Sequence, residues 1–221
     1  MSHFIGLVFV DTETNNIDNI LAPFDEQDDN YSEFIDCTEE VEDEFANLPE
    51  KDERLREDGT PYPYPKDKEH YPTIESLAKD WFGYVKEGDE YGYLSNPNAK
   101  WDWYAIGNRW SGYIFGKDGG GHDCLEFDEV DWVKMFTSVK KTYETYNGEV
   151  MEYDDNHIPF CYVDMDGHWA EKGEMGWWAI VSNEKQPETW EEEVKGFVKH
   201  VQEMPDYVRK NILVYAIDFH I

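Results

Sequence analysis

The stretch FIGLVFV, residues 4–10, decides how this chain folds. Every position is apolar or glycine, so both faces of an extended segment would be hydrophobic, the pattern of a central strand covered on both sides. No basic residue precedes it, and it is too short for a membrane helix or a signal segment. The closing stretch NILVYAIDFHI, residues 211–221, has the same character. Leu213–Phe219 is therefore expected as a second central strand.

Outward from these two segments the pattern is mixed. Thr38 can cap a short helix with Val41, Phe45 and Leu48 on one face. Thr73 opens an amphipathic helix through Ile74, Leu77, Ala78, Trp81, Phe82 and Val85. Trp132, Val133, Phe136, Val139 and Tyr143 repeat at helical spacing as well. Pro187 starts a fourth helix with Thr189 and Glu192 as a capping box and Val194, Phe197, Val198 and Val201 facing inward. Asp166-Gly167 between apolar segments predicts a type I′ hairpin, and Gly176–Val181 reads as a further strand. Helices and hairpins without regular alternation point to an α+β domain with a mostly antiparallel central sheet and about four helices. The expected organisation is a single domain over residues 1–221, with an acidic, loop-rich excursion at about 25–72 where Pro61, Pro63 and Pro65 alternate with tyrosines.

Charge narrows the partners. Fifty acidic residues against 19 Lys plus Arg leave a net charge of -31, while 16% aromatic content argues for a folded chain rather than a solvated tail. Such acidity repels the phosphate backbone of nucleic acid and anionic membrane, and it suits docking on a basic protein surface. Cys37, Cys124 and Cys161 lack metal-ligand spacing, and their odd number fits a reducing cytoplasm.

Two constellations could carry chemistry. The first is KWDWYAIGNRWSG, residues 100–112, read as two strands joined at Gly107-Asn108. Alternation places Trp101 and Trp103 on one face and Asp102 and Tyr104 on the other. Arg109 either pairs with Asp102 across the turn or grips a small anionic ligand against a tryptophan. Trp101, Asp102, Trp103, Tyr104, Arg109, Trp110, Trp177 and Trp178 are thus the candidate ligand-binding set. The second constellation is Asp218 and His220 on one face of the last strand, with His3 opposite if the terminal strands pair. Two imidazoles and a carboxylate suit a divalent metal or a poised general base, and no other cofactor is indicated. His122-Asp123-Cys124 lacks the strand-turn-helix setting of a nucleophile, and Gly119–Gly121 lacks the lysine of a phosphate loop. The acidic groups Asp25, Asp28, Asp29 and Asp154, Asp155 lack calcium-loop spacing.

Ser2-His3-Phe4, Leu21–Glu26, Lys100–Gly112, Gly173–Trp178 and Asp218–Ile221 together resemble a family of uncharacterised bacteriophage proteins over the whole chain. The family pattern has Gly-Gly before Arg-Trp, where this chain has Gly107-Asn108. The resemblance implies a phage origin, and with it the host cell cytoplasm, rather than a mechanism. Binding is favoured over catalysis. The leading expectation is an accessory protein that blocks a host defence or takeover target, a host factor with a basic surface, through its acidic face. The alternatives are a binder that sequesters a nucleotide-like molecule in the aromatic and Arg109 pocket, and a metal-assisted hydrolase using His3, Asp218 and His220.

Overall fold

The two apolar segments pair along their whole length. His3–Asp11 and Ile212–His220 run antiparallel in a register from His3↔His220 to Asp11↔Ile212. This computed structural model describes residues 2–155 and 157–221, except for the side chains of 139, 141, 143, 152–155 and 177. Within it the chain divides into two compact units, one made of the residues up to Gln27 with Asn98–Ile221, the other of Asp28–Pro97.

The first unit is built on a six-stranded sheet. Its order is Trp169–Glu171, Cys161–Val163, His3–Asp11, Ile212–His220 and Trp103–Ile106, and Cys124–Glu126 pairs with the other half of Ile212–His220. Both apolar strands are central, as their two-faced hydrophobicity predicts. The fold is α+β, but the sheet is mixed, because Cys161–Val163 runs parallel to the first strand. A parallel neighbour needs a long crossover, and the chain between Asp11 and Cys161 provides one.

Alternation assigns the core. Ile5, Leu7, Phe9, Ile212, Val214 and Ala216 face one side and pack under Val198 and Val201 of the helix Pro187–Gln202, with Phe127, Trp132 and Met135. Phe4, Val8, Val10, Ile217 and Phe219 face the other side, against Ile20, Leu21 and Trp101. Each Val, Leu, Ile or Phe among them, taken fully out of water, stabilises the fold by about 1.5–3 kcal/mol. At one end of the first face the apolar rows stop, and the next positions outward are His3, Asp218 and His220.

Several local expectations are corrected. The helix at Trp132 ends at Met135, and Val139–Glu144 is a strand paired with Val150–Asp155. Gly176–Val181 is not one strand. Glu174–Met175 and Val181–Ser182 form a small hairpin, and Trp178 (φ 63°) and Ala179 (φ 57°) turn left-handed at its tip. The turn at Asp166-Gly167 has positive φ at Gly167 alone, so it is not type I′. Gln186, not Thr189, stands at the N-cap position of the long helix and makes no side-chain cap, with Pro187 in the first turn. The described residues contain six α-helices rather than about four, the additional ones being the short Ile17–Leu21 and Asp206–Arg209. None is long and apolar enough to cross a membrane.

The second unit has its own core of Val41, Leu48, Leu77, Ala78 and Tyr91. Glu33–Asp36 and Val85–Glu87 flank Glu90–Ser95 in a three-stranded sheet. The helix Thr38–Ala46 packs over this core, and Thr73 with Ser76 forms a capping box for Ile74–Leu77. A π turn, Ala78–Phe82, follows and stops at left-handed Gly83, so Val85 falls in a strand and not on the helix. The acidic excursion is tied down by Asp67, which is 1% exposed and accepts the backbone N–H groups of Asp52 (2.7 Å) and His70 (2.9 Å).

Candidate functional site

Strand pairing brings His3 and His220 face to face. They are register partners, their ring centroids lie 4.8 Å apart, and the planes cross at 73°. Each imidazole is held through Nδ1 by a different carboxylate. His3 Nδ1 lies 2.9 Å from Asp218 Oδ1, and His220 Nδ1 lies 2.6 Å from Asp102 Oδ1. Asp218 is fully buried, and its second oxygen accepts from Asn108 Nδ2 at 2.8 Å. Trp103, itself 40% exposed, stacks on His220 at 5.1 Å and 15°.

A carboxylate on Nδ1 fixes the neutral imidazole with its proton there, leaving Nε2 as a basic lone pair. In His220 that atom is buried and, among the described residues, has no hydrogen-bond partner. The indole nitrogens of Trp101 and Trp110 share this condition, but they are donors packed among apolar groups. A buried unpartnered base is more informative, because buried polar atoms are normally satisfied.

The backbone of Asp102 shows why it reaches this face. The strand begins only at Trp103, and Asp102 sits on a bend whose N–H donates to the His220 carbonyl at 3.0 Å. Strict alternation therefore fails between 101 and 103. Trp101 is 6% exposed in the opposite core, while Asp102 and Trp103 both meet His220.

The aromatic set does not assemble as one pocket. Tyr104 belongs to the Trp101 side, where its hydroxyl donates to Asp18 (2.5 Å), and burial raises its phenol well above the usual value. Trp110 packs against the other core beside Tyr113. Arg109 is exposed, and among the described residues its guanidinium has no partner, so the pairing with Asp102 is replaced by Asp102–His220. Trp178 is 79% exposed, and the side chain of Trp177 lies outside the described ones.

The residues of the expected metal triad come together, with the carboxylate already engaged. His3, Asp218 and His220 do meet, but Asp218 spends its oxygens on His3 and Asn108. Among the described residues the group whose ligand atoms all lie within 4.8 Å of one another is Asp164, Asp166 and His168 instead. Those atoms close the hairpin turn, since Asp164 accepts from the N–H groups of Asp166 and His168 at 2.9 Å each.

Burial raises the thiols of Cys161 and half-buried Cys124, and all three cysteines are free. His122 pairs with Asp118 at 3.0 Å rather than with Cys124. Asp154 and Asp155 have side chains outside the described ones.

Asn108 is the site residue that sequence reasoning missed, having been read only as a turn. It does make the turn, at φ 49° after Gly107 at φ 68°. A side chain on Gly107 would meet the Asp123 carboxylate at 2.4 Å.

Five segments far apart in sequence are joined at this end of the sheet. Ser2 exchanges backbone hydrogen bonds with Ile221, and its Oγ links Gly176 O (3.1 Å) to Ala179 N (2.7 Å). Lys100 N–H donates to Phe24 O at 2.9 Å. No family model, no curated protein and no solved structure matches the chain.

Proposed function

We propose that this chain performs acid–base chemistry on a small molecule at the His3–His220 pair. His220 takes a proton through Nε2, and His3 serves as the facing acid in its doubly protonated form, giving up the Nε2 proton while its Nδ1–H stays on Asp218. Asp102 holds His220 in the Nδ1–H tautomer, Asp218 orients His3, and Asn108 fixes Asp218. The observation that carries the reading is the buried, unpartnered Nε2 of His220 opposite a second carboxylate-held imidazole. A net charge of -31 disfavours polyanions, so the substrate class is uncharged or cationic. The test is a turnover screen with neutral small esters and amides, in which His220→Asn lowers any activity found by about 10²–10⁴, the usual share of a general base. Activity that survives both His220→Asn and His3→Asn overturns the reading.

A second reading is favoured by the helix Thr38–Ala46. It exposes Glu39, Glu40, Glu42 and Asp43 and has no basic residue in its last turn. We infer that the second unit docks on a basic protein surface, which for a phage-encoded chain is a host factor. Affinity for a captured partner then falls steeply as salt rises, since exposed charges are screened beyond roughly 8 Å at physiological ionic strength. Salt-independent affinity overturns charge steering.

A further inference from the structure

We propose that a cavity beside His3 receives the apolar part of the small molecule on which the imidazole pair acts, a group about the size of one aromatic ring. This inference rests on the acid–base reading of that pair. The cavity measures about 240 Å³, and its walls include Ile5, Ile158, Pro159, Phe160 and Trp190. Ile5 is the next residue after His3 on the same strand face, roughly 7 Å along the strand, and its register partner is Asp218, the carboxylate that holds His3. Ile5 of the cavity wall and the His3 imidazole are therefore adjacent positions on one strand face.

Hydrogen bonds set the wall. Trp190 Nε1 donates to Pro159 O at 2.7 Å, and Phe160 N donates to Ile5 O at 2.8 Å. The Trp190 ring also stacks on Tyr162 at 5.8 Å. A preformed wall lowers the ordering cost of binding. An apolar cavity of ~150 Å³ holds benzene, so this volume fits one ring with a substituent. Lys172 and Glu191 also line the cavity and are already paired, Lys172 with Glu184 at 2.6 Å and Glu191 with Lys195 at 2.5 Å. A ligand group here needs no charge of its own.

The test uses indole as probe, with the Trp190 indole N–H and the His3 ring followed by NMR. Ile158→Trp fills the cavity from a loop, and Glu191→Trp fills it from the helix side should the first variant misfold. Indole should shift the Trp190 signal saturably in the unaltered chain, with a neighbouring shift at His3. Binding should weaken at least tenfold in a filled variant. A Trp190 signal that does not move up to the solubility of indole, or equal binding in a folded filled variant, overturns the cavity assignment. Binding that leaves His3 unmoved overturns the link to the pair. Loss of the acid–base reading is read separately, as turnover indifferent to His220.

Discussion

Replacing Asp102 with Asn should move the proton of His220. In the native site the Asp102 carboxylate accepts from Nδ1 at 2.6 Å. A hydrogen bond to a charged group contributes about 1.5–3 kcal/mol, and the lower end applies because the Asp102 side chain is 28% exposed. About 1.5 kcal/mol corresponds to roughly tenfold in a tautomer ratio, so about nine in ten neutral His220 rings carry the proton on Nδ1. Asn at 102 can offer either a carbonyl oxygen or an amide N–H to the same atom, so the preference collapses towards even. Long-range proton–nitrogen correlation in the imidazole reads the two tautomers directly. The Nε2–H form should rise from about a tenth to about half, and turnover that depends on a free Nε2 should fall with it. A native ring already protonated on Nε2, or a ratio unmoved by Asp102→Asn, would refute the reasoning.

Three further substitutions separate fold from site, and a fourth tests the network itself. Gly6→Ala should destabilise by about 1–3 kcal/mol, because its Cβ would lie 2.5 Å from the Phe219 ring and 2.6 Å from Cys161 Sγ in a packed core; an unchanged thermal midpoint would refute that. Asp67 is held down to about 2, chiefly by the Asp52 N–H and then by the His70 ring and N–H. Its folded value lies below the ordinary 3.8, so its stabilisation is present above about pH 4 and is lost as pH falls towards 2. Acid titration of Asp67→Asn should show a flatter stability profile across that window. Arg109→Lys should change stability by less than about 0.5 kcal/mol and leave turnover intact, as expected for an exposed side chain with no partner among the described residues; a clear loss of turnover would return Arg109 to the site. The double variant His3→Phe with Asp218→Leu should keep or raise the melting temperature while abolishing turnover, and thermal melts beside the activity screen check both halves.

The central sheet was legible because burial on both faces leaves an unmistakable run in residues 4–10 and 211–221. The segment from Trp132 was not. Its apolar spacing fits a helix, yet Val133 is 81% exposed and the chain becomes a strand from Val139. Tertiary pairing with Val150–Asp155 overrides a periodicity shared by both structures. Gly176–Val181 failed for another reason. Its shape depends on Ser2, far away in sequence, whose hydroxyl bridges Gly176 and Ala179. The site was half legible. Asp218 and His220 stand out as polar residues on one face of an apolar strand, and His3 joins them once the strands pair. No sequence signal announces that Asp102 bends onto His220, because alternation points it away.

The balance between a structural and a chemical network turns on what the sheet needs at that end. Rows of Ile5, Leu7 and Phe9 against Ala216, Val214 and Ile212 already pack under the long helix. Apolar residues at 3 and 218 would extend those rows without taking a carboxylate out of water. Asp218 is fully buried and needs two partners, His3 and Asn108, to offset its desolvation. Buried charged pairs are commonly replaced by apolar side chains at no loss of stability. A fold selected for stability alone has no reason to hold this arrangement, nor to leave His220 Nε2 buried without a partner. Sites that must act are where proteins depart from their stability optimum. Because His3 and Asp218 sit beside the cavity wall at Ile5, a gain in melting temperature from the apolar double variant, together with loss of turnover, would place that departure at the imidazole pair.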